Sequence, residues 1–419
     1  MVFGKLADVI MKHPKQIILA WVVIILCAVP LAMGAGDALK YDVQDVAVKE
    51  SESVLGIGII NDYFYQSDVS ISDSPILVLQ SDSSKSIAAV EFQEFVNLLE
   101  GNRTNYKDAD GNEKILQFAY NGSILSSESG ESLAMVVAIY SPLFTGDDTA
   151  DLRGFVSENS AQYATGGSAI EFDTYVTGFD AINYDTQVGT MNDLSKIEPV
   201  TIIMILILIG LFFRSAISAA TPPITIGLAF GITLSLVFLL GQFMDIFFIT
   251  EMLMLVTMMG AGCDYCIFIL ARYKEERRSG NDHQNSLRNS IMWAGESITI
   301  SGMTVIIGFG SISLISVPMI NTMGIVLALG IAIALIAALT LITSIIAVIG
   351  DKIFWPSTTE TFKKDGKTMK GWYGKISRAG STYFHKSAHF SQKYAKSIVV
   401  AAILITVPAA YVVATAETS

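Results

Sequence analysis

The chain has 419 residues, of which 52% are hydrophobic and only 16% charged, with a formal net charge of −12 and a mean hydropathy of +0.51. That balance excludes an ordinary soluble globular protein, and three cysteines are too few for a disulfide framework. The charge is unevenly spread: residues 35–198 hold eight basic against 27 acidic side chains, whereas residues 351–397 hold ten basic against three acidic.

In chain order, residues 2–13 read as an amphipathic helix at a membrane surface, set off by Pro14, or as the helical start of the adjoining apolar run. Residues 16–34 are the first of seven apolar runs. The others are 198–213, 221–241, 247–271, 297–316, 322–350 and 398–414. Most reach the roughly 20 residues that a helix needs to cross the hydrocarbon. The second is short unless its helix continues past Glu198. The first is longer than the apolar part of a signal peptide and is expected to be retained.

Between the first two runs, an α+β unit is expected. ILVLQ at 76–80 reads as a strand and SIAAVEFQEFVNLLE at 86–100 as a helix. ILQFAY at 115–120 and SLAMVVAIY at 132–140 are strands, TADLRGFVSENSAQYA at 149–164 a helix, and EFDTYVTG at 171–178 a strand. The order β-α-β-β-α-β is that of a split, ferredoxin-like unit. Asn102 and Asn121 stand in N-x-S/T triplets, a weak glycosylation signal.

Basic loops stay in the cytoplasm. The N-terminus and the loops 272–296 and 351–397 are therefore expected inside, and the acidic segment 36–197 outside. The loop 351–397 interleaves lysines with Trp355, Trp372, Tyr373, Tyr383 and Phe384, a surface suited to anionic lipid rather than to nucleic acid. ADVIMKHPKQIILA at 7–20 echoes AHFSQKYAKSIVVA at 388–401, with five identities in fourteen, as though a second repeat begins there.

The stretch GAGCDYCIFILARYKEER at 260–277 carries the chemistry. Asp264 lies eight residues before Arg272, roughly 12 Å along a helix, and an intramembrane carboxylate is costly and therefore functional by default. An acid that gains and loses a proton in such a place is what a proton-coupled machine needs. Tyr265, about 100° round the helix, can relay a hydrogen bond. Ser301 and Thr304, three apart, share one face of the fifth span and are candidate partners. Gly260, Gly302 and Gly308, with Gly310, are candidate close-packing positions. Cys263 and Cys266 read as small apolar residues.

These residues resemble the fourth-helix signature of the MMPL branch of the RND superfamily: Gly, then Asp-Tyr, a phenylalanine, and Arg-Tyr-x-Glu-Glu. SGMTVIIGFGSISLISVP at 301–318 resembles that family's fifth helix, and VTGFDAINYD at 176–185 the end of its outer porter domain. The likeness runs through the seventh helix, so the chain resembles the N-terminal half of such a transporter.

The resemblance implies a polytopic α-helical membrane bundle with an extracytoplasmic α+β, ferredoxin-like, porter-type domain. Residues 1–35 are then the amphipathic helix and first span, and 36–197 the porter-like domain. Residues 198–350 are spans two to six, 351–397 the basic loop, and 398–419 the seventh span opening a second repeat.

Its implied function is proton-coupled export of hydrophobic or amphiphilic molecules, often lipids, at the cytoplasmic membrane, with Asp264 and Tyr265 as the relay. The family repeats the Asp-Tyr pair in its tenth helix, so a second half-transporter or a second copy of the chain is the expected partner. The alternative is a non-transporting, lipid-sensing or scaffold membrane protein, similar to sterol-sensing domains or to the accessory pair of the secretion channel. An enzyme, a cofactor and a metal site are not expected, because the outer segment has no ligand cluster and no nucleophile–base pair.

Overall fold

A computed structural model of the chain describes residues 2–40, 75–81, 89–107, 111, 113–120, 122, 125–126, 132–140, 148–165, 172–356 and 386–415. Six helices among them are long and apolar enough to cross a membrane: Pro14–Met33, Asp180–Phe213, Ala216–Gly241, Ile249–Arg278, His283–Ile312 and Pro318–Phe354. A bent pair, Lys386–Lys393 with Ala395–Pro408, makes a seventh if counted as one span. The chain is a multi-pass membrane protein. Asn121, Trp372, Tyr373, Tyr383 and Phe384 lie outside the described residues.

The second span solves its own length problem. It belongs to a single 35-residue helix, Phe179–Phe213, whose first half rises out of the bundle as a stalk. Arg214, left-handed at φ 57°, ends it. Ser215 then caps the third span, its side chain accepting a hydrogen bond from the Ser218 amide at 3.1 Å.

Seven strands are described: β1 (Leu39–Lys40), β2 (Ile76–Ser81), β3 (Ile115–Ala119), β4 (Leu125–Ser126), β5 (Ser132–Tyr140), β6 (Phe172–Thr177) and β7 (Ile246–Phe247). β1 and β7 pair in parallel, tying the end of the first span to the entry of the fourth. The main sheet runs β3-β5-β2-β6, every pair antiparallel, with β4 on β5. Helices Ala89–Asn102 and Thr149–Thr165 complete a β-α-β-β-α-β order.

The period of two along β5 buries Ala134, Val136 and Ala138 while Met135 points out. The period of 3.6 along the first of these helices brings Phe92, Phe95, Val96 and Leu99 onto that buried face. Tyr106 closes the core from the side. Its hydroxyl donates to the Asp148 carbonyl at 3.1 Å, and burial, with the Asp148 and Asp151 charges nearby, pushes its ionisation well above the ordinary phenol range. The Asn102 side-chain amide is committed to Asn159 at 2.5 Å, an internal contact rather than a free attachment point.

The sheet unit joins the bundle through the motif VTGFDAINYD. Gly178 stands at φ 114°, where a side chain is strained, and turns β6 directly into the stalk helix. Arg153 then forks onto both carboxylate oxygens of Asp185, about two stalk turns further on, at 2.6 and 2.7 Å, and also donates to the Val176 carbonyl.

Within the bundle, helices approach most closely at glycines. A Cβ on Gly262 would lie 2.8 Å from Ile226 of the third span and 3.2 Å from Ala334 of the sixth. One on Gly302 would lie 3.0 Å from Leu335, and one on Gly324 only 2.7 Å from main-chain atoms of Phe309 and Ser313. Gly260, Gly308 and Gly310 have nothing within 4 Å of such an atom. Within this chain the close approaches fall at Gly262, Gly302 and Gly324, while Gly260 and Gly308 stand on the open side of their helices.

The helix Val2–Lys12 does not float free on a lipid surface. It buries Ala7 and Ile10 in the main cluster, lays Phe3 against Gly295, and pairs Asp8 with Arg288 of the fifth span. It stops at His13, where the first span begins at Pro14. The repeat positions behave alike: Tyr394, equivalent to His13, separates Lys386–Lys393 from Ala395–Pro408 at a 77° bend.

Two substitutions test these junctions. Gly178→Ala should cost about 1–3 kcal/mol, read as a lowered midpoint of thermal unfolding. Gly324→Ala should lower the midpoint and Gly308→Ala should leave it unchanged, since only the first adds an atom against rigid backbone.

Candidate proton-relay site

The fourth span is not one regular helix. Ile249–Thr257 passes through a π turn, Met258–Gly262, before Cys263–Arg278 resumes the α-helix. A π turn inserts one residue into the repeat and rotates the rest of the helix about its axis, and such turns collect at functional sites. Gly262 lets the widened turn press against the third and sixth spans. The sixth span carries a matching π turn at Ala338–Ile342, and Thr340 there accepts a hydrogen bond from the Trp21 indole of the first span at 3.0 Å.

Asp264 lies two residues past the π turn and points outward. It shares the exposed side of the span with Val256, Gly260 and Phe268. The carboxylate has no hydrogen-bond or ion-pair partner among the described residues. Tyr265 points the opposite way. It is 4% exposed, its ring packs into the bundle, and its hydroxyl lies within 3.4 Å of where a Cβ on Gly302 would be. That hydroxyl is buried without a hydrogen-bond partner among the described residues. The two side chains of the pair therefore address different surfaces of one helix.

The fifth span runs antiparallel beside the fourth. Phe268 and Ser297 line one shared groove, which sets Asp264 and Ser301 level, one turn further along each helix. Ser301 and Thr304 are both exposed on the same open side as Asp264. The Thr304 hydroxyl donates to its own helix, to the Ile300 carbonyl at 2.9 Å. Ile300 and Ile307 flank these residues, each about two-thirds exposed. The structure brings Asp264, Ser301 and Thr304 to one face and turns Tyr265 and Gly302 to the other. Cys263 and Cys266 are buried free thiols in the packing.

The far end of the bundle, away from the sheet unit, holds a polar cluster that spacing alone does not reveal. Tyr273 donates to Asp351 at 2.9 Å and meets His283 Nδ1 at 2.8 Å. Arg277 donates through Nε to the same carboxylate at 2.8 Å and pairs with its second oxygen. Glu276, 7% exposed, pairs with Arg272 at 2.6 Å and accepts from Asn281 and Asn289. Lys274 donates to the Phe213 carbonyl at 2.9 Å, above the Phe213 and Phe354 rings. The charged run that ends the fourth span thus clamps the second, fifth and sixth spans. The Arg-Tyr-x-Glu-Glu run of the fourth span is its trace in the sequence, and what spacing does not show is that Asp351 joins it.

The comparisons with known proteins agree with this architecture. The sequence model of the MMPL family matches residues 123–383, and the chain belongs to that family. Its relatives include the membrane protein YdgH of Bacillus subtilis, 29% identical over 58% of this chain and 26% of the relative. The mycolic acid-containing lipids exporter MmpL11 of Mycolicibacterium smegmatis is 28% identical over 48% of this chain and 18% of its own length. The apo-petrobactin exporter of Bacillus anthracis is 32% identical over 28% of this chain and 16% of its own length. The matched stretch of this chain thus covers about a quarter or less of each of these proteins.

The far-end clamp makes a quantitative prediction. Asp351→Asn strips Arg277 of its counter-charge in a largely buried place and should destabilise by about 1.5–3 kcal/mol. Thermal unfolding of the single variants and of their combination with Arg277→Gln should show the double loss falling short of the sum, the signature of a shared contact.

Proposed function

We propose that this chain forms half of a proton-coupled exporter of RND type, moving hydrophobic or amphiphilic molecules out of the cytoplasmic membrane. One observation carries the reading: a single carboxylate, Asp264, stands without a partner among the described residues on an otherwise apolar helix face just after a π turn. An ionised group so placed costs about 2.5–3.5 kcal/mol or more in lipid. It is retained where it faces a second bundle and exchanges a proton. In this reading the open face bearing Asp264, Ser301 and Thr304 is covered by a second helical bundle, from the remainder of a longer polypeptide, a second subunit or a second copy. The far greater length of the matched relatives supports that completion.

The N-terminus and the basic loops lie in the cytoplasm, following their charge. The sheet unit is an extracytoplasmic, ferredoxin-like porter domain, supported by its β3-β5-β2-β6 antiparallel order. A proton reaching Asp264 removes the charge and relaxes the need for polar cover. The fourth span then shifts against its neighbours, with the π turn absorbing the change. Tyr265, wedged at Gly302, transmits the movement to the fifth and sixth spans. The stalk carries it outward, and the Arg153–Asp185 fork passes it to the porter domain. The membrane potential assists with about 2.3 kcal/mol per charge for each 100 mV.

The test is Asp264→Asn in the complete native assembly, assayed for pH-gradient-driven efflux of a hydrophobic fluorophore from membrane vesicles. Efflux should fall to the level of vesicles lacking the protein, with insertion and thermal stability unchanged. Wild-type efflux from that variant would remove the proton relay, and an absence of pH-gradient-driven efflux from the wild-type assembly would favour a non-transporting, lipid-sensing role.

A further inference from the structure

A second feature lies on the opposite side of the π turn from Asp264. Where the stalk meets the bundle, a cavity of about 380 Å³ opens between the second, third and fourth spans. Its polar wall carries two carboxylates, Glu198 on the stalk and Glu251 in the first turn of the fourth span. Its apolar wall is built from Phe230, Phe248, Met252 and Leu255. Among the described residues, no Lys or Arg lines the cavity. Neither carboxylate has a hydrogen-bond or ion-pair partner among the described residues, and the two repel each other.

The backbone adds a further acceptor. Pro199, inside the stalk helix, has no N–H, so the Ser195 carbonyl loses the helical donor it would otherwise have. Ser195 lines the same cavity. The site thus offers two anionic acceptors, with Ser195 and two phenylalanines in its lining. A compact cation bearing N–H groups satisfies all of these at once. The apolar wall requires that this cation carry a hydrocarbon tail, and the volume suits a head group with several methylenes.

We infer that this cavity is a binding site for cationic amphiphiles: an ammonium head held between Glu198 and Glu251, its alkyl chain lying along Phe230, Met252 and Leu255. The inference deepens the export reading and rests on it for its purpose, since it names the class of molecule presented to the transporter. Leu255 stands three residues before Met258, where the π turn begins. An occupant therefore presses on the outer segment of the helix whose inner segment carries Asp264.

The experiment uses the full chain in nanodiscs of uncharged lipid, with ligand retention read by native mass spectrometry. The probes are dodecylammonium and dodecanol, which share a tail and differ in the head. Wild type should hold dodecylammonium about 10-fold or more tighter than dodecanol. Glu198→Gln with Glu251→Gln should abolish that preference while leaving dodecanol binding unchanged, and Phe230→Ala should weaken both probes alike.

Equal affinity of the two probes in wild type overturns the inference without any variant. So does a preference that survives in a folded double-Gln variant. Asp264→Asn should retain the preference in full. Loss of the head-group preference alongside Asp264-dependent efflux would reject the ligand class alone. A retained preference alongside Asp264-independent efflux would reject the proton relay alone.

Discussion

One constraint organises this molecule: a carboxylate must not face lipid uncovered, yet Asp264 sits on the open side of its own bundle. At and beyond the π turn, the other side of the fourth span is packed closely at glycines. Gly262 meets Ile226 and Ala334, Gly302 meets Leu335 and Tyr265, and Gly330 admits Met258. The helix is thus clamped on one side and unfinished on the other. That asymmetry is what the proposed half-site would require, since among the described residues nothing covers the acid.

The two ends of the bundle are fastened differently. At the far end, Tyr273, His283, Arg277 and Asp351 lock the fourth, fifth and sixth spans together in a shared network, and Lys274 ties in the second. At the sheet end, the connection among the described residues is one continuous stalk with a two-pronged Arg153–Asp185 pair as its brace. Between the ends lie the two π turns, where the α-helical ladder is already interrupted. In the proposed cycle, movement falls in the middle and at the sheet end, around the far-end network. The acid-lined cavity and Asp264 flank the same π turn, which makes that turn the natural place for ligand and proton to influence each other.

Much of this was legible in the residues. Apolar runs located the spans because hydrocarbon thickness sets a minimum length that chance rarely meets. The alternation of Ala134, Met135 and Val136 and the spacing of Phe92, Phe95 and Leu99 located strand and helix in the sheet unit. Asp264 stood out because an acid in such a run is expensive.

The side each residue faces was harder to read. Spacing arithmetic places Gly260 and Asp264 together, and they do share a side, but the π turn moves the tight helix contact to Gly262. Periodicity cannot register an inserted residue. The far-end network escaped for another reason. Asp351 lies more than seventy residues from Tyr273 and Arg277, and no local rule connects an acid opening a basic loop to an arginine on another span.

The central claim is that Asp264 takes up a proton in a place shielded from water. Reaction of the complete protein, in its native membrane, with dicyclohexylcarbodiimide tests it, because that reagent modifies carboxyl groups that are protonated and in apolar surroundings. Mass spectrometry should find the adduct on Asp264, increasing as the pH falls and decreasing when transported amphiphile is present. An Asp264 that remains unmodified at every pH, while exposed carboxylates react with a water-soluble carbodiimide, would contradict the account.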